Sequence, residues 1–160
     1  MKKFLPLLLI VILVSCSKLN LDSPQNFQRV LVLGNSILQH APAREIGWHG
    51  NWGMAASKKE NDFYSILSQR LSNKYPGIQI KSKNIADFEA EYWMYDFAKF
   101  DEYATYKADL LILRIGENVN SARFSEHDFK LAYGKLIEHF RSINPTVKII
   151  AAGTFWNQGD

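Results

Sequence analysis

Cysteine is nearly absent: one residue in 160, at position 16. That excludes an intramolecular disulfide, so the fold must be held by packing. Long Lys/Arg clusters are missing, as is any recognition-helix pattern, which argues against a nucleic-acid partner. The 19 Lys and Arg against 16 Asp and Glu give +3, and with Lys2 and Lys3 set aside 17 against 16 leaves +1. No Gly-x-Gly-x-x-Gly follows the first apolar strand, which disfavours a nucleotide-binding α/β module. No His/Cys/Asp/Glu grouping has metal-ligand spacing, so neither a metal nor another cofactor is expected. No apolar run reaches the length of a transmembrane helix, and there are no internal repeats or low-complexity segments.

The chain begins with a leader. Lys2 and Lys3 precede an apolar stretch over residues 4–14, followed by Ser15 and Cys16. A positive start and an apolar run of this length are the parts of an export signal. The run Leu13-Val14-Ser15-Cys16 resembles a bacterial lipoprotein lipobox. The resemblance implies that Cys16 is lipidated and becomes the new N-terminus, anchoring the protein in the cell envelope, facing the periplasm or the exterior. The plainer alternative is a secretory signal with a cysteine nearby. Residues 1–15 are read as signal peptide, 16–28 as a polar tether containing a proline, and 29–160 as one domain.

A content of 47% hydrophobic and 22% charged residues is that of a globular domain rather than a disordered one. Four strands are predicted at 29–34, 78–85, 110–115 and 147–152. The first, third and fourth are continuous apolar runs, the pattern of strands buried on both faces of a parallel sheet. The second alternates apolar and polar residues, as an edge strand does. Helical spacing predicts helices over 61–75 and 125–143. The aromatic-rich stretch 89–106 reads as broken helix, and residues 125–128 as the helix cap of the last. Strands alternating with helices point to an α/β fold with parallel crossovers.

Two strands end in a glycine followed by polar side chains: Gly34-Asn35-Ser36-Ile37 and Gly116-Glu117-Asn118-Val119. Open parallel sheets bind ligands just beyond the carboxyl ends of their strands. A serine there can act as nucleophile, and an asparagine amide can stabilise the oxyanion that forms. Their plain roles are a helix cap and a turn residue. The two motifs, in this order, resemble the first and third blocks of the SGNH, or GDSL-like, hydrolases, over about residues 29–156. The resemblance implies a three-layer α/β/α, flavodoxin-like sheet. It also implies attack by Ser36 on a carboxylic ester, of a small molecule or a glycan O-acetyl group, without a cofactor. The Asn118 amide and the Ser36 N–H would hold the oxyanion. Ala86 stands where the second block has a glycine N–H, and Gly53 is a further candidate donor. Asn35 and Val119 both replace aspartates of the pattern.

The Asp-x-x-His block that supplies the family's base is absent. The four histidines are His40, His49, His127 and His139, the last two expected on the final helix, away from Ser36. The family's sheet has a fifth strand and a last helix beyond the fourth strand. The expectation is therefore the N-terminal portion of a longer hydrolase, impaired for lack of its base. The loop 38–59 carries Trp48 and Trp52, which either stack on a sugar ring or pin the loop, while Trp93 is read as core. The rival reading is a non-catalytic glycan-binding lipoprotein.

Overall fold

The computed structural model describes residues 26–123 and 125–154. The leader, Cys16, most of the tether and Trp156 lie outside the described residues. Strands β1 (Arg29–Gly34), β2 (Gln79–Asn84), β3 (Leu110–Arg114) and β4 (Lys148–Ala152) form one parallel sheet in the order β2-β1-β3-β4. Helices α1 (Phe63–Lys74), α2 (Ala86–Glu91), α3 (Asp101–Ala104) and α4 (Phe129–Ile143) flank it. The expected α/β class and all four strands are present, each strand within a residue of its predicted ends.

The strand order dictates the layers. From β1 to β2 the sheet grows one way; from β2 to β3 and on to β4 it grows the other. Right-handed crossovers then place α1 on one face and the remaining helices on the opposite face. The strands divide accordingly. Val30, Val32, Leu110 and Ile112 pack with Phe63, Leu67 and Leu71 of α1. Leu31, Leu33, Leu111 and Leu113 pack with Phe88, Phe100, Leu136 and Phe140 on the other side. All four of those leucines are fully buried, and each contributes roughly 1.5–3 kcal/mol of burial.

β4 is an apolar run like β1 and β3, and among the described residues it is an outer strand with part of that apolar surface uncovered, as expected where no fifth strand follows it: Ile150, in register with Ile112, is 52% exposed. The last helix starts later than expected, because Asp128 is its cap and accepts from the Leu131 N–H at 3.1 Å. His127 therefore precedes α4 instead of lying on it. Trp93 packs against the core from a half-buried position at its margin and stacks on His127 with ring centroids 5.4 Å apart. β2 is the expected edge, and its exposed Lys81 and Lys83 lie over the Tyr106 and Tyr103 rings, a device that blunts edge pairing.

Packing against this sheet changes tyrosine acidity. Burial pushes the Tyr133 phenol up to about 12. Burial, reinforced by the Asp87 carboxylate, raises Tyr95, and burial also raises Tyr92 and Tyr106. A phenol whose folded value lies above its unfolded value of about 10 stabilises the fold fully below pH 10 and loses that contribution as pH rises towards 12. The melting temperature is thus expected to fall progressively between about pH 10 and 12, and less steeply in Tyr133→Phe. Parallel melting curves for the two proteins across that range would reject the role of Tyr133.

Candidate functional site

The crevice of the sheet opens between β1 and β3. These strands are adjacent and parallel, with Gly34 paired to Arg114. The chain leaves β1 towards one edge and β3 towards the other, which makes this the topological switch point. Ser36 and Asn118 follow these two strands by two and four residues. After Gly34 the backbone turns, with the Leu38 N–H donating to the Asn35 carbonyl at 2.9 Å and the Ile37 N–H to Asn35 Oδ1 at 3.1 Å. Ser36 sits half-buried in this turn. Among the described residues neither its N–H nor its Oγ has a hydrogen-bond partner.

A buried polar network lies beneath. Glu89, on α2, is fully buried. Its Oε1 accepts from the Gly116 N–H, from Asn35 Nδ2 at 3.3 Å and from the Asn118 N–H at 3.4 Å. Its Oε2 accepts from Asn118 Nδ2 at 3.1 Å. Asn35 Nδ2 also donates to Glu117 Oε2 at 2.6 Å, and Arg114 forms a buried ion pair with Glu117. The Ser36 turn and the Asn118 loop are therefore tied through shared carboxylates. Gly116 makes this possible, because its φ of 133° is one that side-chain-bearing residues rarely adopt.

Of the four N–H groups expected at the oxyanion, two are engaged elsewhere. The Ala86 N–H donates to Asn84 Oδ1 at 2.9 Å, because Asn84 forms the side-chain turn that leads from β2 into α2. The Gly53 N–H donates to Asp62 Oδ2 at 3.2 Å. Asp62 also caps α1 through the Ser65 N–H at 2.6 Å, so one carboxylate fastens both the helix and the loop. Gly53 passes so close to Ile37 that a Cβ there would overlap the Ile37 carbonyl oxygen. Of the four, the Ser36 N–H and one amide hydrogen of the exposed Asn118 have no hydrogen-bond partner among the described residues.

Trp48 and Trp52 pack edge to face at 5.3 Å. Their indole N–H groups donate to the carbonyls of His40 at 3.3 Å and Ala56 at 3.0 Å. Both tryptophans thus pin the loop, and both remain half-exposed. The loop closes over the Ser36 turn where the Met54 N–H donates to the Ser36 carbonyl at 2.9 Å. A cavity of about 280 Å³, bounded by Ile37, Gly53, Ala56, Phe63, Ile66 and Arg114, lies beside that turn.

No histidine among the described residues is hydrogen-bonded to Ser36 Oγ. His40 Nδ1 lies 2.6 Å from the Ala41 carbonyl oxygen, and His49 is exposed. His127 stacks on Trp93. His139 Nε2 is 3.2 Å from Asp101 Oδ1, at ion-pair distance but out of hydrogen-bond alignment. No group of three or more His, Cys, Asp or Glu among the described residues could hold a metal. Nor is any described helix long and apolar enough to cross a membrane.

No protein-family model matches the chain, and no curated protein matches it. Among solved structures it is similar to a family two carbohydrate esterase from Cellvibrio japonicus, with 17% identity and a TM-score of 0.47. The match covers 83% of this chain but 44% of that one, so the chain spans less than half the length of the esterase.

Sequence reasoning missed Glu89, Arg114 and Asp62. One readable signal was present. Arg114 is a charge inside the apolar run 110–115, and a charge in a strand of that kind needs a buried partner.

Proposed function

We propose that this chain is an ester hydrolase of the SGNH type, with Ser36 as nucleophile and a glycan O-acetyl ester as the preferred substrate class. The observation that carries the proposal is the placement of Ser36 and Asn118 on the two adjacent strands of the switch point, tied through Glu89. Ser36 Oγ attacks the ester carbonyl as solvent water takes its proton, and the oxygen that becomes negative is met by the Ser36 N–H and the Asn118 amide. The adduct then breaks its bond to the sugar oxygen, which leaves as the alcohol with a proton from water, and a second water hydrolyses the acetyl-serine to acetate and free Ser36. Preorganised donors of this kind commonly supply the largest single share of catalysis. The small cavity beside Ile37 suits a short acyl group, and the half-exposed Trp48 and Trp52 offer a surface for a sugar ring. With no histidine on Ser36 Oγ among the described residues, the expected turnover is slow.

The test is to incubate the full chain with 4-nitrophenyl acetate and with acetylated xylan, then map acetyl adducts by peptide mass. An acetyl group on Ser36 together with acetate release supports the reading. Release without a Ser36 adduct on either substrate, or no release at all, sinks it.

The same proposal places the protein at the cell envelope, tethered by lipid on Cys16, and rests there on the leader sequence alone. Cys16→Ser is expected to move the expressed protein from the membrane fraction to the soluble fraction. Equal membrane recovery of both forms would remove the anchor from the proposal.

A further inference from the structure

We infer that Glu89 is a positioning residue, which grips Asn118 so that one hydrogen of its amide is aimed as an oxyanion donor. The inference rests on the ester-hydrolase reading above. Asn118 is an exposed loop residue just past a glycine. Left to itself, its amide would sample several rotamers, and a donor must be preorganised to help a transition state. Glu89 removes that freedom from beneath. One carboxylate oxygen receives the Asn118 N–H at 3.4 Å and the other receives its Nδ2 at 3.1 Å. Backbone and side chain of the same residue are held by one buried group. One amide hydrogen is taken, which fixes the direction of the other.

The same carboxylate also accepts from Gly116 and Asn35, so the grip spans both strand ends. Hydrogen bonds to a carboxylate are about twice as strong as neutral ones, which suits a part that must not move. Its negative charge opposes an oxyanion nearby. Four N–H groups point at it, however, and Arg114 balances the adjoining Glu117.

Glu89→Gln separates positioning from mere packing, because it preserves size and leaves one oxygen. That oxygen can keep the three bonds made at Oε1, while the new NH2 faces Asn118 Nδ2 donor to donor. The expected result is a fall in kcat of about tenfold with KM within about twofold. Asn118→Ala is expected to cost about a hundredfold, and adding Glu89→Gln to it no more, since both act on one donor. Unchanged kcat in Glu89→Gln, or independent effects in the double variant, overturns the inference.

Should Glu89→Gln fail to fold, the wild-type Asn118 side-chain amide decides by NMR, assigned by its loss in Asn118→Ala. One protected proton and one exchanging proton support the grip, and two protons exchanging at the rate of a free amide overturn it. Absence of Ser36-dependent turnover in the wild type instead overturns the hydrolase reading, and with it the catalytic purpose of the grip. Wild-type turnover with an unaffected Glu89→Gln overturns the Glu89 inference alone.

Discussion

Ser36→Ala is expected to abolish the acyl adduct and to lower ester hydrolysis by about a hundredfold, without a change in melting temperature. Complete serine triads lose far more, but their members act as a unit, and removing one costs nearly as much as removing all. Here no histidine contacts Ser36 Oγ among the described residues, so on the proposed reading the described part of the site would act without part of that unit. The donors at Asn118 and the Ser36 N–H persist in the variant and leave a residual acceleration. The fold should not notice the change, because Ser36 Oγ bonds to no described group and loses none on removal. Steady-state rates and thermal melts on the two proteins check both halves. Equal hydrolysis by Ser36→Ala would remove the enzyme reading. Glycan binding retained by both proteins, with hydrolysis by neither, would favour the non-catalytic glycan-binding alternative.

Asn35→Asp is expected to destabilise the protein by about 3–5 kcal/mol, although it restores the residue usual in the family that the motif resembles. In this chain Asn35 Nδ2 donates to Glu89 at 3.3 Å and to Glu117 at 2.6 Å, in a site with Arg114 as the paired cation. An aspartate is an acceptor only when ionised, so both bonds vanish and a third buried carboxylate faces the other two. Leaving buried groups without donors carries the desolvation cost on top of the repulsion. Guanidinium unfolding of wild type and variant measures the difference. Adding Glu117→Gln should recover part of it, since the glutamine amide can donate to the new carboxylate. A loss below about 0.5 kcal/mol would show that the network tolerates the charge. The departure from the family's aspartate is then explained by its surroundings: with Glu89 and Glu117 already present, position 35 must donate.

β1, β3 and β4 were legible because an unbroken apolar run that ends in glycine is a local mark, and β2 because its residues alternate apolar and polar. The Ser36 and Asn118 motifs were legible for the same reason, each being contiguous and each closing such a run. The last helix was misplaced at its start because Ser125 and Asp128 both make good caps, and the choice between them is made by tertiary packing. β4 reads as apolar as β3, and strand order, not its own residues, makes one inner and the other outer among the described residues. Glu89 could not be read at all. It lies in an aromatic stretch between Phe88 and Tyr92, where one more acidic residue looks like a solvated helix face.

The sequence by itself determined the α/β class, the strand boundaries, and the place of Ser36 and Asn118 just beyond two strand ends, because each is written in short contiguous patterns of polarity and turn residues. Tertiary structure alone decided which N–H groups remain for a ligand. Ala86 and Gly53 are engaged by Asn84 and Asp62, while Glu89 reaches Asn35, Gly116 and Asn118 across up to 54 positions of chain. Hydrogen bonds of that kind depend on which loops the sheet order brings side by side, and strand order is a property of the whole fold rather than of any segment.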